Sequence, residues 1–419
     1  MNDRVIKALR QISLVTSGNL VRAGSSFLVL LIISRELGPF YFGLFAIAFS
    51  TLTLLSQLSD SGLGVGTVKF LSANHQADNS ASSRILAQFL ILRLSIAVFL
   101  GGALFLASHQ IAFWIHKPEL FEPFRVVAAG LVGSTLLGYV YSALQAQERY
   151  RDHFSISILN ALLSIVTTIS IAYLGEASLQ AFLWCQVISI LIPAIFGIAL
   201  LAKHLREARD LLNGIKKIIV FSRWTSLAGI LSVILLQLDL LLLSSLVPAQ
   251  HVGQYAVAHR FAFIGMVLTN SIGIVLLPKA TRLSNSIEIQ NYHRIVWRFF
   301  PLSIAFIVGS WILLTPLIPL LFGTEFEESK AIFIPLIAAF GLGSITNPLS
   351  FLLFTADKPE ILAISQTIQI IIVIGAAYGL VPHIGALGMS AGILVSRIFS
   401  LLFISGSIRR ITSQNPQEA

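Results

Sequence analysis

The feature that most constrains this chain is the recurrence of apolar runs of about twenty residues, each long enough to cross a bilayer. Short polar breaks separate these runs. In lipid the backbone must satisfy its own hydrogen bonds, so each run is expected to be a helix. Charged residues make up 11% of the 419-residue chain, whereas a soluble domain has about 25%. The sequence therefore predicts an all-α integral membrane protein with no soluble domain of its own.

About twelve spans are predicted, six in each half of the chain. Lys and Arg concentrate in alternate connections, and by the positive-inside rule these connections and both termini are cytoplasmic. The predicted spans are residues 12–33, 43–63, 86–107, 124–145, 154–174, 179–201, 221–246, 254–277, 298–321, 330–354, 361–381 and 385–406.

The second half of the chain repeats the first at an offset of 210 residues. The GLFAIA segment at 43–48 resembles the GQYAVA segment at 253–258, and Gly175 aligns with Gly385 in the same register. Six spans per repeat is an even number, so both halves have the same membrane orientation, as in parallel-repeat transporters. We therefore predict two six-helix bundles around a central cavity. The bundles are residues 1–210 and 211–419.

The sequence lacks the motifs of several kinds of active site. It has no nucleotide-binding G-x-x-x-x-G-K-[ST] loop, no HExxH motif and no outer loop long enough for a catalytic domain. Cys185 is the single cysteine, which excludes a thiolate metal cluster or an internal disulfide. We therefore expect no enzymatic activity, no cofactor and no metal. The basic residues lie mostly in short loops, which favours membrane topology over a nucleic-acid partner.

Charges inside the spans are the informative residues, because an Arg or Asp at a helix centre costs roughly 2.5–3.5 kcal/mol on insertion. Arg22 lies at the middle of the first span, where it either lines a cavity or hydrogen-bonds to neighbouring carbonyls. Asp239 in the seventh span and Arg260 in the eighth lie at similar depth. These two residues either form a structural ion pair or line the cavity.

Other charges lie close to span ends. Arg35 in the first outer connection and Asp60 at the end of the second span are candidate gate residues. Four arginines near span ends are expected to extend to the interface. They are Arg93, Arg125, Arg223 and Arg298. Buried arginines outnumber buried carboxylates, so the predicted cavity attracts an anion such as phosphate, for which the guanidinium group is suited.

Three passages resemble a known family. They are RELGPFYFGLF from Arg35, DSGL from Asp60 and VGQYAVA from Val252. Over essentially the whole chain the sequence is similar to the polysaccharide-transporter (O-antigen flippase) family of the multidrug/oligosaccharidyl-lipid/polysaccharide exporter superfamily.

The resemblance implies a V-shaped pair of bundles with a central cationic cavity that opens alternately to the cytoplasm and the exterior. It implies transport of an undecaprenyl-pyrophosphate-linked oligosaccharide, an O-antigen, capsule or exopolysaccharide repeat unit, across the bacterial plasma membrane. Related flippases use arginines on helices 1 and 8, which Arg22 and Arg260 match by helix and depth. Membrane lipids and a glycan polymerase or glycosyltransferase complex are the implied partners.

Three alternatives remain at this point. An ion-coupled multidrug or cation exporter of the same superfamily would need acidic cavity residues, for which Asp239 is the strong candidate. An O-antigen polymerase or lipid-linked glycosyltransferase would need a large outer loop with catalytic residues. A non-transporting scaffold for glycan assembly would show no flipping activity.

Overall fold

The computed structural model describes residues 3–60, 62–73, 79–175, 177–206, 230, 233–263, 286–355 and 358–414. Across these ranges the ordered elements are helices, and no strand is found among them. The predicted all-α class is confirmed. The predicted spans at 221–246 and 254–277 lie partly outside the described residues.

The chain divides into two compact units, Met1–Ile234 and Leu235–Ala419. The boundary predicted at 210/211 lies outside the described residues. The first unit contains α1 (Asp3–Asp60), α2 (Leu63–Ala73), α3 (Asn79–Trp114), a 3-10 turn (Pro118–Leu120), α4 (Phe121–Ala146), α5 (Tyr150–Leu174) and α6 (Leu179–Arg206). The second contains α7 (Val233–Leu246), α8 (Ala249–Ala262), α9 (Ser286–Arg298), α10 (Phe300–Leu314), α11 (Leu317–Phe322), a 3-10 turn (Thr324–Phe326), α12 (Ser329–Thr355), α13 (Pro359–Gly379), α14 (Val381–Ile384) and α15 (Ala386–Gln414).

Helix α1 contains two helical segments that meet at Gly38, rather than two spans joined by a loop at 34–42. Gly38 has φ 65° and ψ 174°, a conformation that is essentially restricted to glycine. Pro39 starts the second segment, where its fixed φ and missing N–H suit a first helical position. The predicted spans at 12–33 and 43–63 were therefore too short, because helical structure continues to both sides of this one residue.

Nine helical stretches in the described part of the chain are long and apolar enough to cross a membrane. The first of them, Ser17–Asp60, includes both segments of α1 and so covers two predicted spans. Large apolar side chains are exposed on these helices, including Phe99, Leu106 and Leu402, which are 74%, 80% and 63% exposed. Trp114 and Tyr173 are exposed at the ends of α3 and α5, as expected for aromatic residues at a membrane interface. The protein is thus a multi-pass membrane protein.

The core of the first unit lies where α2 and α3 pack against α4, and α4 packs in turn against α6. Buried apolar residues at the centre of this core include Phe89, Val140 and Leu144. Tyr139 is fully buried there, and its hydroxyl donates to the carbonyl of Leu86 at 2.9 Å. Helix α5 packs against α1 and α6, which brings the first residues of α5 close to the first segment of α1.

The second unit is built around α12, which packs against α8, α10 and α15. Its core includes Val296, Leu349 and Ile404. Gln254 on α8 joins this helix to the start of α12: its Nε2 donates to the Glu325 carbonyl at 2.6 Å, and its Oε1 accepts from the Ser329 N–H at 3.1 Å. One buried amide therefore satisfies two backbone groups at this connection.

Helix boundaries in the two units follow the 210-residue register. The second segment of α1 begins at Pro39 and α8 begins at Ala249. Gly175 after α5 and Gly385 before α15 both have positive φ, 73° and 57°. These agreements support the internal repeat found in the sequence.

Candidate functional site

The predicted site residue Arg22 stacks on an aromatic ring at one end of the first unit. Its guanidinium carbon lies 4.7 Å from the centroid of the Tyr141 ring, on α4. The ring of Tyr141 lies in turn 4.7 Å from that of His153, on α5, and Arg22 also interacts electrostatically with His153. We call these three residues the Arg22 cluster.

Two polar atoms of the Arg22 cluster are buried without a hydrogen-bond partner among the described residues. They are the Tyr141 hydroxyl and the His153 Nδ1. A buried polar group without a partner costs about 1–3 kcal/mol, so such groups are uncommon in folded proteins unless a ligand or water satisfies them. Together with the guanidinium of Arg22, they provide three polar groups suited to phosphate oxygens.

The Arg22 cluster lies closer to one end of the unit than the predicted mid-span depth of Arg22 suggested. Tyr141 is five residues before the end of α4 at Ala146, about 7.5 Å at the helical rise per residue. His153 is in the first turn of α5. The prediction used the depth of the α-carbon, which does not fix the depth of the guanidinium group. The long side chain of Arg22 extends towards the ends of these helices.

Asp239 on α7 has partners that the sequence did not indicate. Its carboxylate is buried and accepts a hydrogen bond from the Tyr255 hydroxyl, and the His259 Nε2 lies 3.8 Å from the same oxygen. Arg397 on α15 interacts electrostatically with Asp239, and its Nη1 donates to Gln369 Oε1 at 3.2 Å. A guanidinium group therefore lies near enough to Asp239 to interact with its negative charge.

The ion pair between Arg260 and Asp239, one of the two sequence interpretations, is not among the contacts of Asp239 within the described residues. The carboxylate is contacted by the Tyr255 hydroxyl and the His259 imidazole, about two and three turns from the start of α8. Arg260 follows His259 directly, so its side chain leaves α8 about 100° further round the helix. Its cavity role remains a prediction.

Asp60, a candidate gate residue, forms an ion pair with Arg93 on α3. Arg93 is 1% exposed, whereas the Asp60 side chain is 46% exposed. The sequence prediction that Arg93 extends to the interface was wrong, because the guanidinium is held inside the unit by Asp60 and by the ring of Tyr139, 5.8 Å away. A Cβ added at Gly64 would lie 3.0 Å from Arg93 Nη2, so this glycine gives the pair its space.

The other arginines near span ends differ among themselves. Arg125 is half-exposed, lies over the rings of Phe105 and Phe121, and pairs with Glu122 at 3.3 Å. Arg298 is exposed. Both agree with the prediction that arginines near span ends extend to the interface. Arg223 lies outside the described residues.

Arg35, the other candidate gate residue, is exposed at the break between the two segments of α1. The adjacent Glu36 lines a cavity of about 630 Å³ together with Tyr41, Glu119 and Gln180. The predicted topology places this acidic cavity on the outer face. Gate roles for Arg35 and Asp60 remain predictions.

Sequence reasoning missed several residues of these clusters. Arg397 lies in the middle of the last predicted span, and the depth criterion that selected Arg22 also selects it. Tyr141 and His153 gave no comparable signal, because an aromatic residue near a span end is ordinary. Among the described residues there is no group of three or more His, Cys, Asp or Glu side chains that could hold a metal ion.

Two relatives of the chain come from polysaccharide systems. An uncharacterized membrane protein in the cps region of Klebsiella pneumoniae is 23% identical over 90% of this chain and 77% of its own length. The succinoglycan biosynthesis transport protein ExoT of Rhizobium meliloti is also 23% identical, over 72% of this chain and 60% of its own length.

Two solved structures show the fold. An inward-facing multidrug resistance MATE family transporter of the MOP superfamily matches with a TM-score of 0.78 and 17% identity, over 95% of this chain and 96% of its own. The lipid II flippase MurJ in an inward closed conformation matches with the same TM-score, 0.78, and 14% identity, over 94% of this chain and 87% of its own. This chain therefore has the all-helical transporter fold that these proteins share.

A family model described as "Polysaccharide biosynthesis protein" matches residues 8–284, which include all but the first seven residues of the first unit and helices α7 and α8. The match covers more than half of the chain, contains the Arg22 cluster and agrees with the polysaccharide systems of the relatives. The chain belongs to the polysaccharide biosynthesis protein family.

Proposed function

We propose that this protein is a flippase that moves an undecaprenyl-pyrophosphate-linked oligosaccharide across the bacterial plasma membrane by alternating access. The observation that carries the proposal is membership of the polysaccharide biosynthesis family in a chain with the membrane-transporter fold. Both termini are cytoplasmic in this proposal, in accordance with the distribution of Lys and Arg. The protein makes and breaks no bond; it carries the lipid-linked product of other enzymes to the outer leaflet.

The Arg22 cluster is the proposed binding site for the pyrophosphate in the first unit. Arg22 supplies a permanent positive charge and a planar pair of donors that match two phosphate oxygens. The unpartnered Tyr141 hydroxyl and His153 Nδ1 lie beside it, so a bound phosphate would satisfy both. Arg260 is the proposed counterpart in the second unit, by its helix and depth.

The direction of transport agrees with the charge of the proposed substrate. Negative charges moving outward across an inside-negative potential gain about 2.3 kcal/mol per charge per 100 mV. Two phosphate charges therefore favour export at ordinary membrane potentials.

A cation exporter is the second candidate, because the MATE transporter structure matches as well as the flippase structure. Asp239 would be the cation-binding carboxylate in that case. Its contacts argue against this role: the carboxylate is buried, accepts a hydrogen bond from Tyr255, lies 3.8 Å from His259 and interacts electrostatically with Arg397. An exporter of cations needs a carboxylate that is available to the substrate.

Reconstituted protein tests the proposal directly. Proteoliposomes are loaded with a fluorescent polyprenyl-pyrophosphate-linked sugar, and the fraction accessible to a membrane-impermeant quencher is followed with time. We expect wild-type protein to flip the lipid and Arg22→Ala to slow flipping by about tenfold or more, as for the loss of hydrogen bonds to a charged group. Arg22→Lys should recover only part of the rate, because lysine keeps the charge but loses the paired donors.

Arg125→Ala is the matched control for Arg22→Ala. Arg125 also lies over aromatic rings in the first unit, but it is half-exposed and pairs with Glu122. This variant should flip at the wild-type rate. Tyr141→Phe keeps the ring under Arg22 and removes only the hydroxyl, so it should give an intermediate rate. Wild-type protein that exports organic cations and flips no lipid would overturn the proposal in favour of the second candidate.

A further inference from the structure

A basic cavity lies in the second unit between α9 and the last residues of α15. Its volume is about 290 Å³. We call it the α9/α15 pocket. Its lining residues are Gln290, His293, Arg294 and Trp297 on α9, and Ile408 and Arg409 on α15.

Hydrogen bonds between the two helices hold the inner wall of the α9/α15 pocket. The indole N–H of Trp297 donates to His293 Nε2 at 3.2 Å, and Ser405 Oγ lies 2.9 Å from the same nitrogen. The indole nitrogen of Trp297 also lies 3.3 Å from Ser405 Oγ. Ser405 on α15 thus contacts two polar side chains of α9.

The described lining of the α9/α15 pocket has two positive charges. Arg294 and Arg409 supply two guanidinium groups, one from each helix, and no carboxylate is among the described residues that line the cavity. Gln290 adds an amide, whereas the indole N–H of Trp297 is already directed at His293 and Ser405. Paired guanidinium groups with an amide donor beside them are suited to a phosphate group, whose oxygens accept from several donors at once.

The location of the pocket suits a lipid. The distribution of Lys and Arg predicts that this end of the unit, near the C-terminus, is cytoplasmic. Basic pockets between spans on the cytoplasmic side attract anionic headgroups, and tryptophan is enriched at the same depth. Exposed apolar residues lie on both helices, where acyl chains can lie. Ile295 is within the stretch of α9 that lines the pocket, and Leu402 precedes the lining residue Ile408 on α15.

We propose that the α9/α15 pocket binds the phosphate group of an anionic lipid in the cytoplasmic leaflet. Arg294 and Arg409 bind the phosphate oxygens, and His293 and Trp297 position the two helices around it. The site lies outside the Arg22 cluster, Arg260 and Asp239, so it is distinct from the binding groups proposed for transport.

Lipid binding is tested on the purified full-length protein in neutral detergent, by titration with phosphatidylglycerol and measurement of the thermal unfolding temperature. We expect a saturable rise with phosphatidylglycerol and none with phosphatidylcholine. Arg294→Gln and Arg409→Gln should each shift the half-saturation concentration upward by about tenfold, the effect of losing hydrogen bonds to a charged group. Arg410→Gln is the control, since Arg410 is the exposed neighbour of Arg409, carries the same charge and lies outside the pocket lining.

Competition identifies the source of the phosphate. Undecaprenyl phosphate and inorganic phosphate are each added to protein at half-saturation with phosphatidylglycerol. Displacement by undecaprenyl phosphate supports the proposal and assigns the site to carrier lipid, and failure to displace assigns it to bilayer lipid. If inorganic phosphate alone raises the unfolding temperature of the wild-type protein as phosphatidylglycerol does, the proposal is overturned. It is also overturned if phosphatidylglycerol raises the unfolding temperature of the Arg294→Gln/Arg409→Gln variant as much as that of the wild type. Flipping by that double variant is measured separately, so the loss of lipid binding is distinguishable from failure of the transport proposal.

Discussion

The ion pair between Asp60 and Arg93 gives a prediction in which the loss of stability depends on which partner is removed. Arg93 is 1% exposed and Asp60 is 46% exposed. Asp60→Asn leaves a guanidinium charge buried with no anion, a change that costs about 3–5 kcal/mol. Arg93→Met leaves a carboxylate that already reaches water, so its cost should be near the roughly 1 kcal/mol of an exposed pair. Asp60→Asn should therefore be the more destabilising substitution, by about 2 kcal/mol or more.

The assay is unfolding of the purified protein by sodium dodecyl sulfate, followed by far-ultraviolet circular dichroism. The double variant Asp60→Asn/Arg93→Met should be close to Arg93→Met alone, because methionine fills the space and leaves no buried charge. Glu122→Gln is the control, since the exposed pair of Glu122 with Arg125 should contribute within about 0.5 kcal/mol. A loss for Arg93→Met that equals or exceeds that of Asp60→Asn would refute the reasoning.

The remaining predictions use the same unfolding measurement. Gly385→Ala should cost about 1–3 kcal/mol, because φ is 57° and ψ is −141°, a backbone conformation essentially restricted to glycine, and a Cβ there meets nothing within 4 Å. Gly375→Ala, at an open helical position, should be neutral or stabilising. Gln254→Leu should cost about 1–3 kcal/mol, since it leaves two backbone groups without partners. Asp239→Asn should destabilise the second unit, and adding Arg397→Met should restore part of the lost stability. If Asp239→Asn leaves the stability unchanged but abolishes flipping, Asp239 is instead an ion-coupled carboxylate.

The fold was largely predictable because hydrocarbon imposes a strong rule on sequence. Runs of about twenty apolar residues have to be helices in lipid, and the 210-residue offset in the sequence agrees with helix starts at Pro39 and Ala249. The connection at Gly38 was predicted as an outer loop, because the apolar runs on either side of it were assigned to separate spans. One residue in a glycine-only conformation was sufficient to join the two helical segments.

The sequence did not show which residues pair with the buried charges. Asp239 and Arg260 lie at similar depth on neighbouring spans, yet the carboxylate is contacted from α8 by Tyr255 and His259. The pairing depends on which face of each helix points inward, and a mostly apolar span gives little periodic signal for that rotation. Arg93 shows the same limit, because seven residues inside a span is compatible both with snorkelling and with a buried ion pair.

The two buried polar clusters differ in how their polar groups are partnered. In the second unit, the Asp239 carboxylate accepts a hydrogen bond from the Tyr255 hydroxyl and lies 3.8 Å from the His259 imidazole. In the first unit, the Tyr141 hydroxyl and His153 Nδ1 are buried beside Arg22 with no partner among the described residues. A partnered network stabilises one arrangement of helices, whereas unpartnered groups gain free energy when a ligand or water bonds to them. A ligand that presents several acceptor oxygens beside the Arg22 charge gains most, which favours a phosphate-bearing lipid over an organic cation as the cargo.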